Sequence, residues 1–308
     1  MIKYYKSLYQ ILYQDLNIKP IIPTSDQMAI ELYPEYKNFY NKKYLSQIQE
    51  IKHGFNKPKK FPVVIKPYKN LKGGSMGFRI VNEEKNFKLN EGDFWMELLT
   101  GEHLCIDLFI LKGKIMFYSI LRSKAAKEGT FEYHESMPDY KLSLEIQNFI
   151  LEHFNKYTGI LNCETISNKI IDFHLRANGD FYLYNDNIVK QIINLYFNQK
   201  WEIKNYNIPK MYLFPIFIKK DKSFEVDLDE IIKILEKYNC NNLMYKYKLE
   251  SPGGNRIFIY SSNNFEDGNN AKHEILEIMK FYNIYYRRLL IIFLFIVLIL
   301  FIYYGKTN

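Results

Sequence analysis

The middle of the chain contains short strand-like runs that follow one another closely, and this pattern constrains the fold more than any other feature. Five runs lie between residues 59 and 123: KKFPVVIKPY, LKGGSMGFRIV, DFWMELL, HLCIDLFIL and KIMFYSILRS. ILNCETI and KIIDFHLR then form a predicted hairpin around Ser167-Asn168, with FYLYN beyond it. Helical patterns occupy residues 1–50, 141–157 and 184–200. This segregation predicts an α+β fold with antiparallel sheets and packed helices, without the regular alternation of a doubly wound sheet.

The stretch from residue 210 to residue 280 has a pattern of its own. Its segments are, in order, MYLFPIFI, DLDEIIKILEKYN, LMYKYKLE, RIFIYSS and NAKHEILEIMKFY. The first, third and fourth segments are short runs with many aromatic and β-branched residues, and spacings of three and four residues are typical of the other two. The stretch is therefore predicted to be a β-α-β-β-α unit.

Residues 289–304 read LLIIFLFIVLILFIYY, without a charge, Gly or Pro. Sixteen helical residues cover roughly 24 Å, slightly less than a hydrocarbon core of ~30 Å. Arg287 and Arg288 precede the run, and Tyr303 and Tyr304 suit the membrane interface. A buried core helix is the alternative, but a helix that is apolar on every face needs protein around it. We expect a C-terminal membrane anchor over 287–304, with the bulk of the chain in the cytosol.

The net charge and the cysteine content bear on the kind of partner and on disulfide or zinc sites. The chain has 42 Lys and Arg against 34 Asp and Glu, a net charge of +8. A basic surface favours nucleic acid or anionic membranes as partners, but the surplus accompanies heavy use of Lys, Asn, Ile, Tyr and Phe, the residues of A/T-rich codons. Nucleic-acid binding is therefore the less favoured alternative. Cys105, Cys163 and Cys240 have no CxxC spacing, which argues against a disulfide framework or a zinc site.

A lysine on a strand precedes a glycine-rich loop in FPVVIKPYKNLKGGSMGFRIV. Lys66 ends the apolar part of the strand, and Gly73, Gly74, Ser75 and Gly77 follow it. Backbone N–H groups in such a loop can approach phosphate oxygens closely. The spacing matches neither a P-loop nor a dinucleotide fingerprint. A strand followed by an ordinary hairpin turn is the alternative.

A row of charged side chains follows in KIIDFHLR. Alternation along a strand places Asp172, His174 and Arg176 on one face and the apolar Ile171, Phe173 and Leu175 on the other. An acid, an imidazole and a guanidinium in one row indicate a binding site, although a solvated face is the alternative.

Glu164, on the preceding strand, joins this row only in one register of the hairpin. A two-residue turn pairs Glu164 with Ile171, whereas a three-residue loop Ser167-Asn168-Lys169 pairs it with Asp172. We expect the three-residue loop. Two neighbouring carboxylates repel unless a cation lies between them, and hard oxygen ligands suit Mg²⁺ that bridges nucleotide phosphates.

The segment between these motifs supplies further candidates. Glu97 and Leu99 lie between two predicted strands, and Glu102 and His103 follow a Gly turn. Such a segment can present backbone groups to adenine and polar side chains to ribose. Arg122 ends a later strand, where a guanidinium can meet phosphate.

Taken in this order, the motifs resemble the ATP-grasp superfamily over about residues 40–200. The resemblance implies ATP as cofactor, with Lys66 and the loosely matched Lys42 on its phosphates and Gly73, Gly74, Ser75 and Gly77 in the lid. It also implies Glu97 and Leu99 at adenine, Glu102 or His103 at ribose, and Arg122 and Arg176 as the catalytic residues. Mg²⁺ would be bound by Glu164, Asp172 and His174.

The family resemblance also implies an organisation and an activity. Residues 1–50 would be a helical segment, 51–130 a nucleotide-binding, lid-like subdomain, and 131–284 the ATP-grasp core with the β-α-β-β-α unit. The expected reaction joins a carboxylate to an amine or thiol through an acyl phosphate. His174 stands where the family has an asparagine, and about 40 residues precede the match, too few for the usual N-terminal domain. The alternative is a non-catalytic nucleotide-binding membrane adaptor.

Overall fold

The computed structural model describes residues 2–4, 6–69, 74–126, 129–179, 186–203, 206–219 and 227–279, with only the backbone of 245–249. The strands are β1 (Lys3–Tyr4), β2 (His53–Gly54), β3 (Val63–Pro67), β4 (Arg79–Val81), β5 (Asp93–Glu97), β6 (His103–Leu111), β7 (Lys114–Ala125), β8 (Phe131–Ser136), β9 (Gly159–Ile166), β10 (Lys169–His174), β11 (Tyr212–Ile218), β12 (Asn242–Ser251) and β13 (Gly254–Ser262). The helices are α1 (Asp26–Leu32), α2 (Lys42–Ile48), α3 (Leu144–His153), α4 (Asp186–Asn198), α5 (Leu228–Lys237) and α6 (265–279). A π-helical turn covers Gln10–Asp15, and 3₁₀ turns cover Pro34–Tyr40 and Glu84–Asn86.

Nine strands form one large sheet in the order β1-β12-β13-β11-β8-β7-β6-β9-β10. All its pairings are antiparallel except the short parallel contact of β1 with β12. Its apolar side chains pack with those of the helices into three buried clusters. One includes residues of α4, the second residues of α1 and α3, and the third residues of α5 and α6. The predicted α+β class and the predicted β-α-β-β-α unit (β11, α5, β12, β13, α6) are confirmed.

A separate four-stranded sheet has the order β2-β5-β3-β4. Its strands lie between His53 and Glu97, whereas β6 and β7 pair within the large sheet. The lid-like unit therefore ends near Glu97 and not at residue 130. Ile171 of β10 packs against Val64, Phe94 and Met96 of the small sheet, so the two sheets face each other.

The N-terminal segment is only partly as expected from the helical patterns of residues 1–50, although α2 forms within the predicted YNKKYLSQIQEI. Lys3–Tyr4 is a strand, and short helical turns follow it. Leu8 and Leu12 nevertheless pack into the core beside α4, and Phe39 packs against α3. The segment is therefore part of the core domain.

Within the described residues, no helix is long and apolar enough to cross a membrane. The predicted anchor over 287–304 and the predicted strand FYLYN lie outside those residues.

Candidate functional site

A cleft of about 400 Å³ lies between the small sheet and the large sheet. It is lined by ten residues that the sequence motifs singled out: Lys42, Lys66, Gly74, Ser75, Leu99, His103, Glu164, Asp172, His174 and Arg176. They come from α2, β3, the glycine-rich loop, β6, β9, β10 and the segments next to these elements. The fold therefore gathers motifs that lie as much as 130 residues apart.

Asp172 and Glu164 lie opposite each other on the hairpin, as predicted, but for a different reason. Lys169 pairs with Ile166, so the turn has two residues, Ser167 and Asn168, with φ of 47° and 64°. A bulge then inserts Ile171 between Ile170, which pairs with Thr165, and Asp172, which pairs with Glu164. The expected three-residue loop is wrong. The bulge supplies the one-residue shift that aligns the two carboxylates.

The bulge also changes the predicted faces of β10. Ile170, Phe173 and Leu175 belong to the core on one side of the strand. Ile171 lines the cleft together with Asp172, so it does not lie on the core face as simple alternation predicted. The extra residue of a bulge commonly breaks the alternation in this way.

Two lysines provide positive charge at the acidic pair. Lys42 lies at the first position of α2, whose N-cap Asn41 accepts hydrogen bonds from the N–H groups of the first turn. Its Nζ forms an ion pair with Asp172, and both side chains are largely buried. Burial alone would raise the pKa of Asp172, but the charge of Lys42 holds that pKa well below its usual range. A lysine thus provides the cation that the paired carboxylates require.

Lys66 is the second lysine that lines the cleft, and it is buried as well. Its Nζ donates a hydrogen bond to the carbonyl of Ile171 at 3.0 Å. Burial, and then repulsion by Lys42, lower the pKa of Lys66 to about 7, although Asp172 and Glu164 act in the opposite direction. An anionic ligand in the cleft would favour the charged form of this amine.

Glu164 is held by an imidazole. His103 Nε2 lies 3.3 Å from Glu164 Oε2. Burial would raise the pKa of Glu164, but the hydrogen bond and the charge of His103 keep the pKa below its ordinary value. Both acids of the pair are therefore ionised at neutral pH.

The other two members of the charged row bind a residue that the motifs did not identify. Asp26, the first residue of α1, is buried, and its Oδ1 lies 3.0 Å from His174 Nδ1 and 2.8 Å from Arg176 Nε. Ser25 caps this helix, because its side chain accepts a hydrogen bond from the N–H of Met28. Burial opposes ionisation of Asp26, but His174 and then Arg176 hold its pKa below the usual value. The N-terminal segment thus anchors β10.

The described residues contain no group of three His, Cys, Asp or Glu side chains placed to hold a metal ion. His174 Nε2 lies 3.8 Å from Asp172 Oδ1, and its Nδ1 faces Asp26. The predicted trio of Glu164, Asp172 and His174 is therefore not assembled. The two carboxylates still fit Mg²⁺, which proteins usually bind through one or two carboxylates together with substrate phosphates.

Arg122 and Glu102 lie outside the cleft lining. Arg122 pairs with Leu104, so alternation places both on the face of the sheet opposite His103 and Glu164. Its guanidinium binds Glu135 and, at 3.1 Å, Glu102. Arg122 also lies three residues before the end of β7 and not at its end, and the local pattern did not predict which face of the strand it occupies.

Gly77 and Glu97 also lie outside the lining, and Gly73 lies outside the described residues. Gly77 has φ of 79°, and a Cβ there would lie 2.7 Å from the ring of Pro67, so it permits close packing of the loop. Glu97 Oε1 accepts a hydrogen bond from the N–H of Lys52. Its side chain therefore joins β5 to the segment before β2.

Sequence reasoning also missed two cleft residues of the C-terminal unit, Phe217 and Arg256. Each lies within an apolar strand pattern, and nothing in that local pattern marks it as part of the site. Sequence reasoning missed Asp26 for a similar reason, because an acidic residue at a capped helix start is common without any functional role.

Known proteins resemble this chain in structure and not in sequence. No family profile matches the sequence, and no curated protein matches it. An L-amino acid ligase from Bacillus licheniformis superposes with a TM-score of 0.55 at 13% identity, over 88% of this chain and 82% of that one. A carboxyaminoimidazole ribonucleotide synthase from Aspergillus clavatus, complexed with ATP, has a TM-score of 0.56 at 10% identity, over 89% and 79%. An N5-carboxyaminoimidazole synthetase from Staphylococcus aureus, complexed with ADP, has a TM-score of 0.57 at 12% identity, over 84% and 78%.

These neighbours are ATP-grasp enzymes. The chain therefore has the ATP-grasp fold, and the resemblance indicated by the motifs is confirmed at that level.

Proposed function

We propose that this protein is an ATP- and Mg²⁺-dependent ligase that joins a carboxylate to an amine or thiol through an acyl phosphate. The observation that carries the proposal is the pair of ionised carboxylates, Glu164 and Asp172, beside Lys42 and Lys66 in one cleft. The solved structures with this fold include ligases and proteins crystallised with ATP or ADP, which supports the same kind of chemistry here.

Each part of the cleft has a role in this proposal. The apolar strip of Leu98, Leu99 and Ile171 would contact adenine. Lys42 and Lys66 would bind the phosphates, with Gly74 and Ser75 above them. Glu164 and Asp172 would hold Mg²⁺, which would supply charge neutralisation on the phosphates.

In this arrangement the protein acts by position and charge. Phosphoryl transfer to a carboxylate requires the two reactants in line and the developing charge stabilised, and it requires little covalent participation by the protein. Lys42 would have to leave Asp172 for the phosphates when the metal takes its place. Arg176, held by Asp26, would stabilise the transferring phosphoryl group.

Hydroxylamine provides the test, because it traps acyl phosphates as stable hydroxamates whatever the natural nucleophile. We expect ADP and a hydroxamate to form together when ATP, Mg²⁺ and a panel of acids are supplied. Asp172→Asn should abolish both products, whereas Glu102→Gln, a change outside the cleft, should leave them nearly unchanged. Nucleotide binding without either product across the panel would refute the ligase.

One observation supports an alternative to the ligase, a nucleotide-binding membrane adaptor without catalysis. His174, which stands where the family has an asparagine, faces Asp26 and belongs to no three-ligand group among the residues that the structure describes. Mg-ATP that binds tightly in calorimetry and is recovered unhydrolysed after long incubation would support this alternative.

We further propose that residues 287–304 tether the protein to a membrane with its bulk in the cytosol. Support comes from the apolar run and its two preceding arginines. Deleting residues 287–308 should move the protein from the membrane pellet to the soluble fraction without a change in ATP affinity. A deletion variant that still pellets at high salt would contradict the anchor.

A further inference from the structure

One more cationic side chain lines the cleft, in addition to Lys42, Lys66 and the charged row of β10. Arg256 lies on β13 in the C-terminal unit and is only 3% exposed. Its register partner on β11, Phe217, lines the cleft as well. Arginine is the side chain best suited to two-point binding of a carboxylate or phosphate.

A bulge in β13 aims Arg256 at the cleft. Ile216 pairs with Phe258 and Phe217 pairs with Arg256, so Ile257 is an extra residue on β13. Ile257 and Phe258 both pack into the cluster that includes α5 and α6. Without the bulge, alternation would place Arg256 on that helix-covered side together with Phe258. The backbone irregularity instead turns the guanidinium to the cleft, as bulges near binding sites often do.

Arg256 enters the cleft from a different part of the sheet from the acidic pair. β13 lies five strands from β9, which carries Glu164, in the order of the large sheet. Arg176 also lines the cleft, but it follows β10, which is at the far edge of the large sheet. Arg256 therefore adds positive charge at a separate point of the cleft.

The loops around the cleft bring this region next to the lid. A Cβ added at Gly129, in the β7–β8 turn, would lie 2.8 Å from Ser75 Cβ and 3.5 Å from Pro252 Cδ. The glycine-rich loop, the β7–β8 turn and the β12–β13 turn thus meet at one place. A ligand held by Arg256 would lie in the same enclosure as the nucleotide.

We propose, on the basis of the ligase function above, that Arg256 binds a second anionic group of the acid substrate, either a carboxylate or a phosphate. The reacting carboxylate lies at the metal and phosphate end, and the other anion lies at Arg256, with the ring of Phe217 against the carbon chain. The substrate is then at least a dianion. The C-terminal unit then supplies part of the substrate pocket.

The test compares matched acids by calorimetry on the full chain saturated with Mg²⁺ and a non-hydrolysable ATP analogue. Each straight-chain diacid from malonate to adipate is paired with the monoacid that lacks its terminal carboxylate, and the corresponding phosphonates form a third series. We expect at least one dianion to bind tenfold or more tightly than its monoacid. The better of the two dianion series distinguishes a carboxylate from a phosphate as the natural group.

Arg256→Gln should reduce that preference to about one while nucleotide and monoacid affinities stay within twofold of the parent. Arg256→Lys, which keeps the charge but loses two-point binding, should retain part of the preference. It also provides the measurement if the glutamine variant does not fold. Arg79→Gln is the matched control, because Arg79 binds Asp93 in the small sheet outside the cleft lining.

Three results would overturn the proposal: no preference for dianions in the parent, a preference that survives Arg256→Gln, or an equal loss of monoacid and dianion binding. The last would mean that Arg256 holds the reacting carboxylate. Repeating the series without nucleotide separates the two proposals. If the parent does not bind ATP, the proposed ligase is contradicted. The preference for dianions over monoacids tests the role of Arg256 by itself.

Discussion

Removing the charge of Asp172 should destabilise the protein when neither metal nor nucleotide is present. From the sequence alone, two neighbouring carboxylates should repel, so an amide in place of either would be neutral or slightly stabilising. The structure reverses this expectation, because Asp172 is ion-paired with Lys42 and their side chains are only 18% and 9% exposed. Asp172→Asn leaves the lysine charge buried without its partner.

The size of the effect follows from two opposing contributions. Breaking a buried ion pair by removing one partner costs about 3–5 kcal/mol. Relief of repulsion between cross-strand neighbours of like charge returns up to about 1 kcal/mol. We therefore expect the free energy of unfolding to fall by about 2–5 kcal/mol. Glu164→Gln should cost less, about 1 kcal/mol, because the Glu164 side chain is 33% exposed and the amide can still accept a hydrogen bond from His103.

Urea-induced unfolding at pH 7 with EDTA measures the change, and a double-mutant cycle with Lys42→Met isolates the pair. The double variant should be more stable than the sum of the two single changes predicts, with a coupling of about 2 kcal/mol. If Asp172→Asn lies within about 0.5 kcal/mol of the parent, or if the coupling is near zero, the ion pair does not stabilise the fold and the reasoning fails.

Three further predictions concern other buried charges. Lys66→Met should leave the fold intact and weaken ATP binding at least tenfold, about 1.4 kcal/mol by calorimetry, and unchanged affinity would mean that this strand does not face the nucleotide. Asp26→Ala should cost about 3–5 kcal/mol in urea unfolding, because the largely buried side chains of His174 and Arg176 lose the carboxylate that they bind. Asp15→Ala, which breaks an exposed pair with Lys6, should cost at most about 1 kcal/mol, and similar losses in the two variants would contradict the burial argument. Burial lowers the pKa of Lys272 to about 8 from 10.5, so the unfolded chain binds this proton more strongly, and the free energy of unfolding should rise with pH between those values in the parent but not in Lys272→Met.

Local pattern was sufficient to predict the elements and many of the residues in the cleft. The short apolar runs of β6 and β9, the lysine before the glycine-rich loop and the acid-x-His-x-Arg row all lie within short stretches of sequence. These features depend on backbone geometry within one element, so they can be read without a partner. The α+β class and the β-α-β-β-α unit follow from the same information.

The geometry of the site was decided only by tertiary structure. Whether Asp172 faces Glu164 depends on the bulge at Ile171, and whether Arg256 faces the cleft depends on the bulge at Ile257. A bulge shifts alternation by one residue, and its position is set by packing against neighbouring strands and not by the local sequence.

Contacts between distant parts of the chain were equally beyond the local pattern. Asp26 meets His174 across 148 residues, and Lys42 meets Asp172 across 130. Arg122 lies three residues before the end of β7 and shares a face with Leu104, away from the cleft. The sequence by itself determined which residues lie on which element. The packing of one element on another decided which charges are paired, because a buried charge is stable only where another part of the chain brings it a partner.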